Sequence, residues 1–279
     1  MKLDVRGLYA INFGVFTGTR FISGWDNTWW GLAEVQRDIA FKALYASVEP
    51  IDGIEAQLGG LYLVKGESTE FTTYDDDGYV MGERISLRRP NELLFDEISA
   101  TGAYFTGDPG MISVGRRVSH IDETNYWHFL VRKAIGGRGG VSADFSSEND
   151  RRTWRQAIRI NLPELKFVDS AVFEQYERTG ESGAYGFSIT FAKQLTAKLS
   201  LNQFGYARID PDYGPLNADR FNIGNRAFVM ATYVFSPEFT ASLFITRAVG
   251  DNGVLPQRIL SNAVLAYNAL PALRRTGYF

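Results

Sequence analysis

Residues 184–193 read Ala184, Tyr185, Gly186, Phe187, Ser188, Ile189, Thr190, Phe191, Ala192, Lys193, and the fold class follows from how these side chains divide. In an extended chain, successive side chains point to opposite faces. Tyr185, Phe187, Ile189 and Phe191 therefore share one face, and Ala184, Gly186, Ser188 and Thr190 the other. Helical spacing would scatter both sets. The stretch predicts a strand with an aromatic face that avoids water and a face of small, mainly polar residues that tolerates it.

The same period of two recurs along the chain. Residues 2–16 set Leu3, Val5, Gly7, Tyr9, Ile11, Phe13 and Val15 against Lys2, Asp4, Arg6 and Asn12, and predict one strand. Ile39, Phe41, Ala43 and Tyr45 oppose Asp38 and Lys42; Trp127, Phe129 and Val131 oppose His128 and Arg132. Trp154, Ile158, Ile160 and Leu162 oppose Thr153, Arg155, Arg159 and Asn161, a face too polar for the core of a sandwich, so water must lie against it. Phe239, Ala241, Leu243 and Ile245 alternate with Thr240, Ser242 and Thr246, and Ile259, Ala263, Leu265 and Tyr267 alternate with Asn262 and Asn268. Residues 29–37 read equally as strand or short helix. Each segment spans roughly 9 to 14 residues, the length of a tilted strand that crosses a bilayer.

Bulk composition agrees. The chain has 279 residues, 45% hydrophobic and 14% aromatic, and a mean hydropathy of −0.16. A barrel that shows lipid only every second residue has this balance of many aromatics and a soluble-looking average. Cysteine is absent, which excludes a disulfide framework, a thiolate metal site and a cysteine nucleophile. A net charge of −3 offers nucleic acid no bulk attraction. No apolar run reaches the roughly 18 to 20 residues of a membrane helix, so only a barrel could span a bilayer. Residues 1–6 lack an export signal, so the chain is expected to be a mature or truncated form.

The connections come in two kinds. Tight turns are expected at Glu49–Pro50–Ile51–Asp52, Arg89–Pro90–Asn91–Glu92, Gln194–Leu195–Thr196–Ala197 and Ser236–Pro237–Glu238. Longer polar loops are expected over residues 17–30, 67–77, 210–220 and 250–257. Short turns on one rim and long loops on the other predict an all-β, transmembrane, antiparallel up-and-down barrel in a single domain, residues 1–279, with about 14 strands and a range of about 12 to 16. In the fourteen-strand reading both ends lie on the short-turn side and residues 269–279 form a tail; in a sixteen-strand reading residues 272–279 are the closing strand.

On these hairpins, Lys193–Gln194–Leu195–Thr196–Ala197–Lys198 followed by Leu199–Ser200–Leu201–Asn202, and residues 231–240, the chain resembles Gram-negative outer-membrane porin-like proteins. Gly277–Tyr278–Phe279 resembles the aromatic carboxyl end that such proteins present to the barrel-assembly machinery. Gly59–Gly60–Leu61–Tyr62 followed by Gly82–Glu83–Arg84 carries a likeness to polysaccharide-export porins. The resemblance implies location in the bacterial outer membrane and contact with its lipid.

Inward-facing basic residues are the candidate pore-lining groups: Lys42, Arg84, Arg88, Arg116, Arg132, Arg155 and Arg159. Charges that line a water-filled lumen select permeants by sign, and a guanidinium pairs well with carboxylates and phosphates. The structural reading pairs them instead with lumenal acids such as Glu83, Asp96 or Asp144. Asp75, Asp76 and Asp77, with Glu67 and Glu70, are a weak calcium candidate without EF-hand spacing, and read more simply as an exposed acidic loop. Ser119, His120 and Asp122 have triad residue types, but neighbours on a strand point apart. The run Gly136–Gly137–Arg138–Gly139–Gly140 precedes a strand rather than a helix, so it reads as a hairpin connection rather than a phosphate loop. Trp25, Trp29, Trp30, Tyr45, Tyr62, Tyr104, Trp127, Trp154 and Tyr185 suit interfacial girdles.

The expected function is passive passage of small hydrophilic, anion-biased solutes, without cofactor, catalysis or nucleic-acid partner. The alternative is a plugged barrel that serves as a scaffold or anchor for a partner complex. Phe204, Phe228 and Phe244 on the expected inward face favour plugging.

Overall fold

The computed structural model describes residues 2–5, 9–20, 36–69, 79–90, 94–104, 122–148, 151–179, 183–210, 224–250, 259–268 and 270–275. They form one sheet of fifteen strands, each antiparallel to its sequence neighbour. In chain order these are β1 (Lys2–Val5), β2 (Tyr9–Arg20), β3 (Gln36–Ile51), β4 (Ile54–Tyr62), β5 (Tyr79–Arg88), β6 (Glu97–Tyr104), β7 (Tyr126–Ala134) and β8 (Gly139–Glu148). There follow β9 (Arg151–Asn161), β10 (Ser170–Thr179), β11 (Ala184–Gln194), β12 (Leu199–Ile209), β13 (Gly224–Ser236), β14 (Phe239–Ala248), β15 (Ile259–Tyr267) and a short helix α1 (Leu270–Arg275).

The architecture is an up-and-down meander of the porin-like barrel type, as the alternation predicts. Strands β2 to β15 number fourteen, with the start of β2 and the end of β15 on the short-turn rim. The extra strand is a correction at the amino terminus. Residues 2–16 are not one strand: Lys2 pairs with Asn12 and Val5 with Tyr9, so the chain reverses between β1 and β2. Period two survives a tight reversal, and so the alternation alone conceals it. A second correction concerns the carboxyl end. Residues 270–275 are helical, which removes the closing strand of the sixteen-strand reading.

Three of the four expected tight turns fall on one rim, between β3 and β4, β11 and β12, and β13 and β14; the fourth, expected over residues 89–92, belongs to the β5–β6 connection on the same rim, but residues 91–93 lie outside the described residues. Gly53 makes the first possible: its φ is +77°, and a Cβ there would lie 2.4 Å from the Arg88 carbonyl oxygen. The other rim carries five longer connections, the four expected ones and an unexpected one between β6 and β7, and β8–β9 and β10–β11 also close there with short links. The glycine run is the β7–β8 hairpin, in which Gly136–Arg138 makes a single 3-10 turn.

Burial shows which face is enclosed. On β11, Ala184, Gly186, Ser188 and Thr190 are buried, whereas Tyr185 and Ile189 are exposed and Phe187 and Phe191 are half-buried. On β9, Thr153, Arg155 and Ala157 are buried while Trp154, Ile158 and Ile160 are exposed. The small and charged residues thus face inward and the aromatics outward, inverting the arrangement of a water-soluble sheet.

Two expectations for the inward face are corrected, the first by parity itself and the second by a break in it. Glu83 is exposed beside outward Ile85, so it is not a lumenal acid. Phe204 pairs with Phe191, their rings 5.6 Å apart, and faces outward; only Phe228 and Phe244 line the inside. Register shifts on either side of β12 explain the break, because one extra residue reverses the facing of everything beyond it. Tyr45 also departs from the girdle reading, as it packs against the inward cluster of Leu61, Val80, Ala103 and Tyr126.

Candidate functional site

After β4 the chain does not leave the rim but turns inward. Residues 63–69 form a strap against the enclosed face of β7 to β10. Gly66 allows the approach: a Cβ there would fall 2.2 Å from the Ser142 Cβ. The Glu67 amide donates to Ser142 Oγ at 2.8 Å. The Thr69 amide donates to Glu174 Oε2 at 2.7 Å, and its hydroxyl donates to the other carboxylate oxygen. Ser188 Oγ donates to the same Glu174 at 2.7 Å, so the β10 carboxylate ties the strap to β11. At the strap's root, Arg84 donates to the Tyr62 carbonyl, to Thr101 Oγ1 at 3.0 Å and to Gln57 Oε1 at 3.2 Å.

The Glu67 carboxylate is the centre of the arrangement. Arg132 Nε donates to its Oε1 at 2.7 Å. Arg159 Nε lies 2.9 Å from Oε2, although that N–H is not aimed at the oxygen and finds no hydrogen-bond acceptor. Gly140 leaves room for the carboxylate, since a Cβ there would lie 2.5 Å from Oε1. Glu67 and Ser68 are buried.

A second cluster lies beside it and is sealed. Asp144 Oδ1 accepts from Arg155 Nε at 2.7 Å, and Arg155 Nη2 lies 2.6 Å from the same oxygen. His128 Nε2 is 3.2 Å from that oxygen, and Arg155 Nη2 also donates to Ser146 at 3.2 Å. Toward the turn rim, Arg88 bridges Glu55 at 2.9 Å and Glu97 at 3.0 Å. Inward apolar groups complete the lining: Tyr176, Phe228 and Phe244 cluster on β10, β13 and β14.

Of the residues singled out from sequence, the structure brings Arg132 and Arg159 together on Glu67, and Arg155 onto Asp144. Arg84 holds the strap's root and Arg88 stands apart with its two acids. Lys42 belongs to β3 but its side chain lies outside the described residues, as do Arg116, Asp75, Asp76, Asp77, Ser119 and His120. Glu67 joins the arginines rather than a cation site, and no cluster suited to a metal occurs among the described residues. Sequence reasoning missed Glu174, Thr69 and Gly66, since nothing in residues 63–69 distinguishes an inward strap from an outward loop. Trp127, Trp154 and Tyr185 are exposed on the outer face, as a girdle requires.

Together these features define a porin-like β-barrel with a polar, partly occupied interior. No protein-family model matches the chain, and no curated protein does either. Among solved structures, OccAB4 of Acinetobacter baumannii superposes with a TM-score of 0.55 at 10% identity, covering 95% of this chain and 78% of that one. That likeness establishes the fold.

Proposed function

We propose that the protein is an outer-membrane channel through which small hydrophilic solutes pass passively, with the strap as its constriction and Arg132 and Arg159 favouring anions. One observation carries this reading. The enclosed face holds hydrogen-bonded charges and hydroxyls, while the opposite face presents aromatics such as Trp154 and Tyr185. A barrel with lipid outside and water inside needs that inversion. The likeness to OccAB4 in fold supports it. Arg132 and Arg159 are the selecting groups because they keep open surface, whereas Arg155 is sealed on Asp144.

A scaffold reading is favoured by the same strap and by the Tyr176, Phe228 and Phe244 cluster, which fill part of the interior. Single-channel recording in a planar bilayer under a salt gradient separates the two. Discrete steps with an anion-biased reversal potential are expected, and the double variant R132Q/R159Q should reduce that bias. An inserted but silent barrel supports the scaffold; steps whose reversal potential ignores the double variant remove the arginines from selectivity.

A further inference from the structure

Glu67 sits among groups that would bind any oxyanion alike. Its side chain is 3% exposed, yet Arg132 and Arg159 retain 38% and 40% of their side-chain surface. A guanidinium carries five N–H donors in a planar fork. Glu67 draws one aligned hydrogen bond from Arg132, and the Arg159 Nε at 2.9 Å is not aligned with it. The pair is therefore under-used, and its open surface lets an arriving anion engage before Glu67 departs. Arg132 also keeps a loose 4.0 Å contact with Glu97. The Asp144–Arg155 pair offers no such route, being closed to solvent on both sides.

The strap's remaining contacts make Glu67 consequential. Beyond it, the strap's contacts include its backbone on Ser142, Thr69 on Glu174, the close seat of Gly66 and, near its root, Leu63 packed against the cluster of Leu61, Val80, Ala103 and Tyr126. We propose that Glu67 is a displaceable internal ligand: it fills an oxyanion site between Arg132 and Arg159, and a solute bearing a carboxylate or phosphate takes its place and frees the strap. The consequence for transport rests on the channel reading, but the binding and displacement do not.

Because the chain has no cysteine, a single one reports on the strap. Ser68 is buried beside Glu67. Ser68→Cys in the full refolded protein should react slowly with a cationic methanethiosulfonate in chloride. At equal ionic strength, succinate or inorganic phosphate should raise the rate about tenfold, the size of a modest population shift. Adding E67Q should make labelling fast in chloride and indifferent to either anion. Calorimetry on the cysteine-free chain is the second measurement: succinate should bind E67Q more tightly than the unaltered protein, since the competitor is gone. A labelling rate that both anions leave at the chloride value overturns the proposal, as does equal affinity in the calorimeter. Neither readout needs current, so a silent bilayer record would remove the channel reading and leave this result to stand or fall alone.

Discussion

At Asp144 one buried carboxylate serves Arg155, His128 and, through Arg155, Ser146. The side chains of Arg155 and Asp144 are 4% and 1% exposed, so neither charge has water to fall back on. Removing one partner from such a pair typically costs about 3 to 5 kcal/mol, because the other is left buried and uncompensated. D144A is expected to lose that much in urea unfolding of the lipid-reconstituted protein, and D144A/R155M to lose clearly less than the sum of its parts. A loss below about 1 kcal/mol, the scale of solvated pairs, would mean that water reaches Arg155. Sequence reasoning had Arg155 and Asp144 on the same inward face but could not tell a sealed pair from a selectivity group. That distinction rests on packing across β8 and β9, between residues eleven apart in the chain.

Along single elements, legibility follows local geometry. Period two gave β11 its two faces, as residues 184–193 show, because alternation is a property of the extended backbone itself. It failed at Phe204, where bulges invert parity, and at β1, where a reversal keeps it. The strap was illegible because its inward course depends on distant partners, Ser142 and Glu174, and on the space that Gly66 and Gly140 leave. Turns were better marked, although the β9–β10 connection was not among those expected. In the β9–β10 connection, Asp169 accepts from the Gln194 amide at 2.6 Å and from Lys193 Nζ at 2.6 Å. The Gln194 N–H first, then Lys193, holds its carboxyl below the usual aspartate range. With the folded value depressed, the contribution is complete above the ordinary aspartate value and is lost as pH falls through the lowered one. An NMR titration should therefore show the Gln194 amide shift inflecting only below the ordinary aspartate value, and no such inflection in D169N. An inflection at or above that value would show that the contact does not form.

For the whole molecule, the decisive property is whether the outward aromatic face meets lipid. Ile189 lies at the middle of β11 on the outer face, and Tyr185 lies near the end at the loop rim. Both are exposed, by 37% and 45%, so in water a charge at either would cost little. In a membrane the two differ, since an arginine on the lipid face costs about 2 to 4 kcal/mol at the midplane and about 0 to 1 near the interface. Arg208, already outward on neighbouring β12 and paired with Phe187, shows that the loop-rim end of this face accepts a guanidinium. I189R should then destabilise the bilayer-embedded protein by several times as much as Y185R in reversible unfolding from lipid. Comparable small losses would mean that the aromatic face is not in hydrocarbon, and a water-soluble barrel with an inverted surface would have to be explained instead. A steep difference would fix the depth of β11, and with it the height at which the strap and its arginines sit within the membrane.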